Sequence, residues 1–275
     1  MRKQLKIFLE LVAPGLLDVY RALNNRRLFG LRFRSLHRRT RSAIFKDGSL
    51  HVLSGPFKGL KYIDGIVWGP ITPKWLGSYE CELADTIEEI VSRGYDIILD
   101  VGCAEGYYAV GLAYRIPSAQ VLAYDTDFIS RSQTRRLARL NGLESQVHIS
   151  RFCDGAEIAR HATDKALIVC DIEGFERSLL DPGECAALAR FDILVEVHEA
   201  RWTPSTLDLL KARFSGNHSI QEVVASDRQD WIRSSKLNLD SSISREDLSE
   251  AVNEHRENGR IWLWMKAKKP ALVLE

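Results

Sequence analysis

From residue 97 onward, short apolar runs alternate with stretches whose apolar residues recur at helical spacing. Ile97-Ile98-Leu99-Asp100-Val101 is an apolar run carrying an acid near its end; after Gly102-Cys103-Ala104-Glu105-Gly106 the apolar pattern resumes with a helical period from Tyr107 to Ala113. That order predicts strand, tight turn and helix. Residues 120–125 read as a second strand, 129–140 as a helix closed by Asn141-Gly142, and 147–152 as a third strand. Runs at 166–172, 193–197, 220–225 and 261–266 complete a set of seven. Helical patterns separate the first six, which predicts an α/β fold with a doubly wound, mostly parallel seven-stranded sheet.

Upstream the pattern is different. Leu5, Phe8, Leu9, Val12, Leu16, Val19, Tyr20 and Leu23 form an apolar stripe interrupted by Pro14-Gly15, which predicts a kinked amphipathic helix or two short ones. Its stripe needs cover from the following domain, from a second subunit, or from an anionic surface. Residues 31–45 are too basic to bury and read as helix or linker. Runs at 50–53 and 60–63 flank Ser54-Gly55-Pro56-Phe57-Lys58-Gly59 and predict a β-hairpin. Trp68-Gly69-Pro70 and Thr72-Pro73 mark irregular chain, after which Leu83, Ile87, Ile90 and Val91 predict a helix ending at Gly94. The expected division is a basic extension over 1–78 and the α/β domain over 79–275. Residues 226–259 are polar, with one helical pattern around 244–257, and read as an insertion near the active edge.

Charge sharpens this division. Twelve basic residues against three acidic ones put +9 into the first 50 residues, so a chain of net charge +1 carries about −8 in the remainder. Such an arm folds back onto its acidic body or meets an anionic partner. Glu10 and Pro14 interrupt the only signal-like start, and no run is apolar and long enough to span a bilayer. Five cysteines without Cys-x-x-Cys spacing read as reduced core thiols. The expectation is a cytoplasmic protein, with peripheral membrane contact through the N-terminal stripe left open.

Candidate chemistry gathers at the strand ends. In a parallel sheet the turn at 102–106 lies at the carboxyl edge, where small residues and a helix N-terminus admit a ligand. Its glycine spacing lacks the Gly-x-Gly-x-x-Gly of a dinucleotide site and fits a nucleoside better than a pyrophosphate. Asp125, closing the second strand about twenty residues on, is placed to bind a ribose diol or to cap the following helix. Asp154 is a candidate for an adenine amino group or, equally, a helix cap. Asp171 and Glu173 follow the fourth strand, and Glu196 and His198 end the fifth; strand alternation sends each pair to one side. Neighbouring strands would bring these four titratable groups together, an arrangement too costly to bury without a task.

Three strings carry a resemblance: Asp-Val-Gly-x-Ala-x-Gly-Tyr-Tyr from Asp100, Asp-Ile-Glu-Gly-x-Glu-x-x-Leu-Leu from Asp171, and Glu-Val-His-Glu from Glu196. In that order they resemble the FkbM-type S-adenosylmethionine-dependent methyltransferases, over about residues 55–192 and including Gly55-Pro56-Phe57-Lys58-Gly59 and Leu76-Gly77-Ser78-Tyr79-Glu80. The resemblance implies a Rossmann-like class I methyltransferase fold. It implies that Asp100, Gly102, Gly106 and Asp125 line the cofactor, with Cys103, Ala104, Glu105 and Tyr107 of the turn beside them. Ala104, where many methyltransferases have glycine, narrows the turn. Asp171 and Glu173 would stand at the reaction centre of a methyl transfer to oxygen on a sugar, glycan or other small molecule.

A hydroxyl must lose its proton to attack, so a base is needed: His198 first, then Asp171 or Glu173. A Mg²⁺ on Asp171 and Glu196 is the other option, with substrate positioning by the carboxylates as an alternative role. Two further readings stay open: a nucleic-acid methyltransferase using the basic N-terminus, although the Pro-Pro motif such enzymes present after the fourth strand is absent, and a non-catalytic binding protein.

Overall fold

The computed structural model describes residues 34–46, 48–65, 69–199, 204–235, 237, 243–255 and 260–268. The amphipathic stripe at 5–23 lies outside these residues. Seven strands form one sheet: β1 (Ile97–Val101), β2 (Gln120–Tyr124), β3 (Val147–Ser150), β4 (Ala166–Cys170), β5 (Phe191–Val197), β6 (His218–Val224) and β7 (Ile261–Ala267). Their order is β3-β2-β1-β4-β5-β7-β6. β1 to β5 pair in parallel, and β7 runs antiparallel to both β5 and β6. The sheet is therefore doubly wound and mostly parallel, as the pattern predicts.

The central strands read as unbroken apolar runs because both of their faces are covered. Ile98, Leu167, Val169 and Leu194 point into one core, shared with the helices Ala84–Arg93 and Tyr107–Arg115 and with Trp262 and Trp264. Leu99, Ile168, Cys170, Ile193 and Val195 point into the other, under the helix Thr206–Phe214. Each large side chain buried in these layers contributes roughly 2–3 kcal/mol relative to exposure. Order reverses at β1, which has β2 on one side and β4 on the other, so a crevice opens at the carboxyl ends of β1 and β4.

Several upstream expectations change. Residues 34–44 are a helix, and the segment is not too basic to bury: Leu36, Thr40 and the following Phe45 face inward while the arginines stay outside. Arg39 pairs with Asp247 at 2.8 Å and Arg41 with Asp64 at 3.0 Å, so this part of the arm does fold onto the body. The predicted hairpin reduces to one antiparallel bridge, His51 with Lys61, since the loop between folds as turns. The stretch read as irregular contains the helix Thr72–Leu76; proline in a first helical turn costs nothing because its missing N–H has no intrahelical partner. Phe45, Val52, Phe57 and Trp75 share the core of β1 and β4.

The polar interval after β6 holds two helices, Arg228–Ser234 and Arg245–Ala251, with Asp227 and Ser244 as N-caps. Only the second was expected, and over a longer span. Arg228 ties the interval down by pairing with Glu82 and Glu254, each at 2.6 Å, and Glu254 also accepts from the Glu80 amide.

Candidate functional site

The turn after β1 is shaped by backbone that only small residues tolerate. Gly102 and Gly106 have φ of 88° and 93°. A Cβ on Gly102 would lie 1.7 Å from the Asp171 carbonyl oxygen, and one on Gly106 2.8 Å from a Thr134 methyl. Ala104 adopts the same left-handed region (φ 48°), a conformation that costs a side-chain-bearing residue about 1–2 kcal/mol. Two bonds hold it there: its amide donates to Asp125 Oδ2 (2.9 Å), and its carbonyl accepts from Thr134 Oγ1 (2.9 Å). Three other amides of the turn are also used inside the protein. Gly102 and Cys103 donate to the Tyr124 carbonyl, and Gly106 to that of Cys103.

A cavity of about 1020 Å³ opens over this turn. Gly102, Ala104, Asp125 and Asp154 form one wall, Asp171, Glu173 and Arg260 another, and Lys74 with Tyr79 a third. Phe152 and Phe175 stand at it with 68% and 72% of their surface exposed. Asp125, on the cavity wall, accepts from the amides of Ala104 and Asp127 through its two oxygens. Asp154 caps the helix Gly155–Arg160 by accepting from the Glu157 amide at 2.8 Å, while still lining the cavity.

Asp100, Cys103, Glu105, Gly106 and Tyr107 sit behind the wall and are buried. Burial pushes the Asp100 carboxyl up to about 7, opposed by a bond from the Ala109 amide and reinforced by the charge of Asp125. Glu105 accepts from the Tyr62 hydroxyl (3.0 Å) and pairs with Lys74.

Across the cavity the acidic residues converge on one histidine. His198 Nε2 is 3.7 Å from Asp171, 3.4 Å from Glu173 and 3.8 Å from Glu196, and Nδ1 is 2.8 Å from Glu176. Arg260 Nη1 donates to Glu196 at 2.8 Å and stands 3.1 Å from His198 Nε2. With Nε2 accepting from Arg260, Nδ1 carries the proton given to Glu176. Burial lowers the His198 pKa, but the Glu176 bond and the charges of Glu196, Glu176 and Glu173 outweigh it, and the net shift is upward.

The convergence expected of Asp171, Glu173, Glu196 and His198 is present, for a different reason on one side. β4 ends at Cys170, so Asp171 and Glu173 are brought in by the loop, with Glu173 left-handed (φ 54°), and strand alternation plays no part. Glu176, fully buried, accepts from the amides of Ile172 and Gly174 and so sets the shape of that loop. Glu176, Arg260 and Lys74 were not read from the sequence as site residues. Glu176 stands in the Asp-Ile-Glu-Gly-x-Glu string, which signalled it; Arg260 is legible only once β7 is known to pair antiparallel with β5, Ile261 opposite Val197.

A second hollow, about 820 Å³, lies among Arg41, Lys61, Arg136 and Arg139. It includes no strand-end residue, and Asp64 already pairs with Arg41 and, at 3.7 Å, with Arg136. Among the described residues no helix is long and apolar enough to cross a membrane.

No protein-family model and no curated protein matches the chain. Solved structures similar to it include the Bacillus subtilis m1A22 tRNA methyltransferase TrmK, at 10% identity and a TM-score of 0.42 over 66% of this chain and 64% of that one. An O-methyltransferase from Bacillus cereus in complex with SAH is similar at 11% identity and 0.46, over 70% and 80% of the two chains. So is the C-terminal domain of precorrin-6Y C5,15-methyltransferase from Rhodobacter capsulatus, at 12% and 0.43 over 67% and 87%. At these values the chemistry has to be argued from the site itself.

Proposed function

We propose that the chain is an S-adenosylmethionine-dependent methyltransferase acting on a hydroxyl of a sugar, glycan or other small molecule. One observation carries the reading: a single cavity at the switch point of the sheet has a glycine turn and a strand-end acid on one side and Asp171, Glu173 and Arg260 on the other, with His198, which does not itself line the cavity, within 3.7 Å of all three. The side chains fit the cofactor. Gly102 and Ala104 keep the turn low along the cavity, Asp125 stands where a ribose diol takes two acceptors, and Asp154 has an oxygen to spare for an adenine amino group. When bound, the cofactor supplies an electrophilic methyl group on a sulfonium.

The protein's part is to draw a proton from the acceptor hydroxyl and hold it. His198 is the base, oriented by Glu176 at Nδ1; Nε2, which accepts from Arg260 at rest, takes the proton when the guanidinium gives up that bond and keeps the one to Glu196. Once protonated it lies among Asp171, Glu173 and Glu196, which stabilise the imidazolium. Asp171 and Glu173, on the cavity wall, hold the hydroxyls of the acceptor. Ligand atoms of Asp171, Glu196 and His198 lie within 4.8 Å of one another, but the Arg260 guanidinium already sits 2.8 Å from Glu196. The cluster is a poor match for Mg²⁺, and no step is assigned to a metal. A small acceptor is favoured over nucleic acid because the chain after β4 reads Asp171-Ile172-Glu173-Gly174, without the Pro-Pro motif expected there of a base-methylating enzyme.

Calorimetry with S-adenosylmethionine tests this reading: the expected result is micromolar binding that Asp125→Ala weakens at least tenfold. Absence of binding to the unaltered protein overturns it.

A further inference from the structure

Lys74 is a lysine with only 3% of its surface exposed, on the fully buried helix Thr72–Leu76. Its ammonium pairs with Glu105 Oε1 and lies 4.5 Å from the centre of the Tyr79 ring and 5.9 Å from that of Tyr107. A buried lysine–glutamate pair carries a desolvation cost of several kcal/mol, offset only by good geometry and complete hydrogen bonding. Here the bonding is incomplete on both partners. An ammonium has three N–H donors; Glu105 takes one, and ring faces offer no acceptor oxygen. Glu105 Oε2 is buried without a hydrogen-bond partner.

This shortfall stands beside the cavity, which Lys74 and Tyr79 line together with Gly102 and Ala104. Four of the five amides of the turn, those of Gly102, Cys103, Ala104 and Gly106, already donate within the protein. A carboxylate entering that corner meets a desolvated ammonium whose remaining donors have no acceptor oxygen among the described residues.

We propose that Lys74 is the carboxylate-binding residue of the cavity, receiving the α-carboxylate of an amino-acid group, with Glu105 as the residue that positions it. This rests on the cofactor reading above, in which the methionine end supplies that group. The helix Thr72–Leu76, outside the α/β unit in the sequence, thereby becomes part of the cofactor site.

The test is calorimetry on the full chain with S-adenosylhomocysteine and with 5′-methylthioadenosine, which keeps the nucleoside and the sulfur but lacks the amino-acid end. The variant is Lys74→Met combined with Glu105→Gln, so that no uncompensated charge is left buried. The expected result is a 10- to 100-fold loss of S-adenosylhomocysteine affinity with methylthioadenosine affinity unchanged within twofold. An equal loss for both ligands, or no loss, overturns the proposal. A variant-free comparison guards against misfolding: on the unaltered protein, decarboxylated S-adenosylmethionine should bind at least tenfold more weakly than S-adenosylmethionine, and equal affinities also overturn it. If the unaltered protein binds neither S-adenosylhomocysteine nor methylthioadenosine, the cofactor reading falls and takes this proposal with it, a result distinct from loss of selectivity alone.

Discussion

The two sides of the cavity use acidic residues in opposite ways. At the ends of β1 and β2, acids hold backbone: Asp125 takes the amides of Ala104 and Asp127, and Asp100 is buried against a helix start with its carboxyl pushed towards neutrality. At the ends of β4 and β5 the acids share cations, with Glu196 on Arg260 and Glu176, Asp171 and Glu173 around His198. The first side is built for shape and the second for charge. A group that only needs to be held still keeps its geometry when neutral, whereas a group that must stabilise a passing proton has to stay charged.

The largest test of this contrast is steric. Gly102→Ala puts a methyl 1.7 Å from the Asp171 carbonyl at a φ of 88°, and should destabilise the fold by more than about 3 kcal/mol in urea melts. An unchanged midpoint would show that the two sides are not in backbone contact.

Next comes a pair of neutralising substitutions. Asp100 has a folded pKa of about 7, raised from 3.8, so the folded state holds its proton more tightly than the unfolded one. Its contribution to stability is full below pH 4 and is lost as pH rises to 7. Asp100→Asn should remove that downward slope and leave the protein more stable than the parent at pH 8, by a difference of order 1–4 kcal/mol. Glu196→Gln should do the reverse at pH 8, costing roughly 2–4 kcal/mol by taking the carboxylate from Arg260. If both variants lose stability, the division into shape and charge is wrong.

A smaller effect separates binding from reaction. Asp171→Asn should leave S-adenosylmethionine affinity within threefold while lowering turnover, the opposite of Asp125→Ala; a shared loss of affinity would merge the two sides. The smallest concerns His198. Its folded pKa is raised, burial opposing and the Glu176 bond and nearby carboxylates prevailing, so its stabilising contribution is present below pH 6.5 and lost as pH passes the folded value. Glu176→Gln should lower the titration midpoint of the imidazole in NMR spectra, and Glu173→Gln, with an exposed carboxylate, should lower it less.

Local pattern carried the sheet. The starts of β1 to β4 and β7 fall at the residues where the apolar runs begin; for the central parallel strands β1 and β4 the reason is burial on both faces, which demands apolar residues without interruption. The site was half legible. Asp125, Asp171 and His198 end apolar runs and so announce the strand edge. Lys74 and Arg260 do not, since one lies on a five-residue helix and the other depends on which strands pair. The burial of the helix at 34–44 is not legible from its charge, because net charge says nothing of the inward face that Leu36 and Thr40 form.

The closeness of Gly102 to the Asp171 carbonyl, together with the bond from the Asp171 amide to the Val101 carbonyl at 2.9 Å, joins the two loops main chain to main chain. In the proposed reading, the spacing between the cofactor end and the acceptor end of the cavity is thereby fixed by main chain, not by the side chains that would meet the acceptor. Substitutions at Phe152, Glu173 or Phe175 would then change which acceptor is taken without moving the point from which a methyl group would depart.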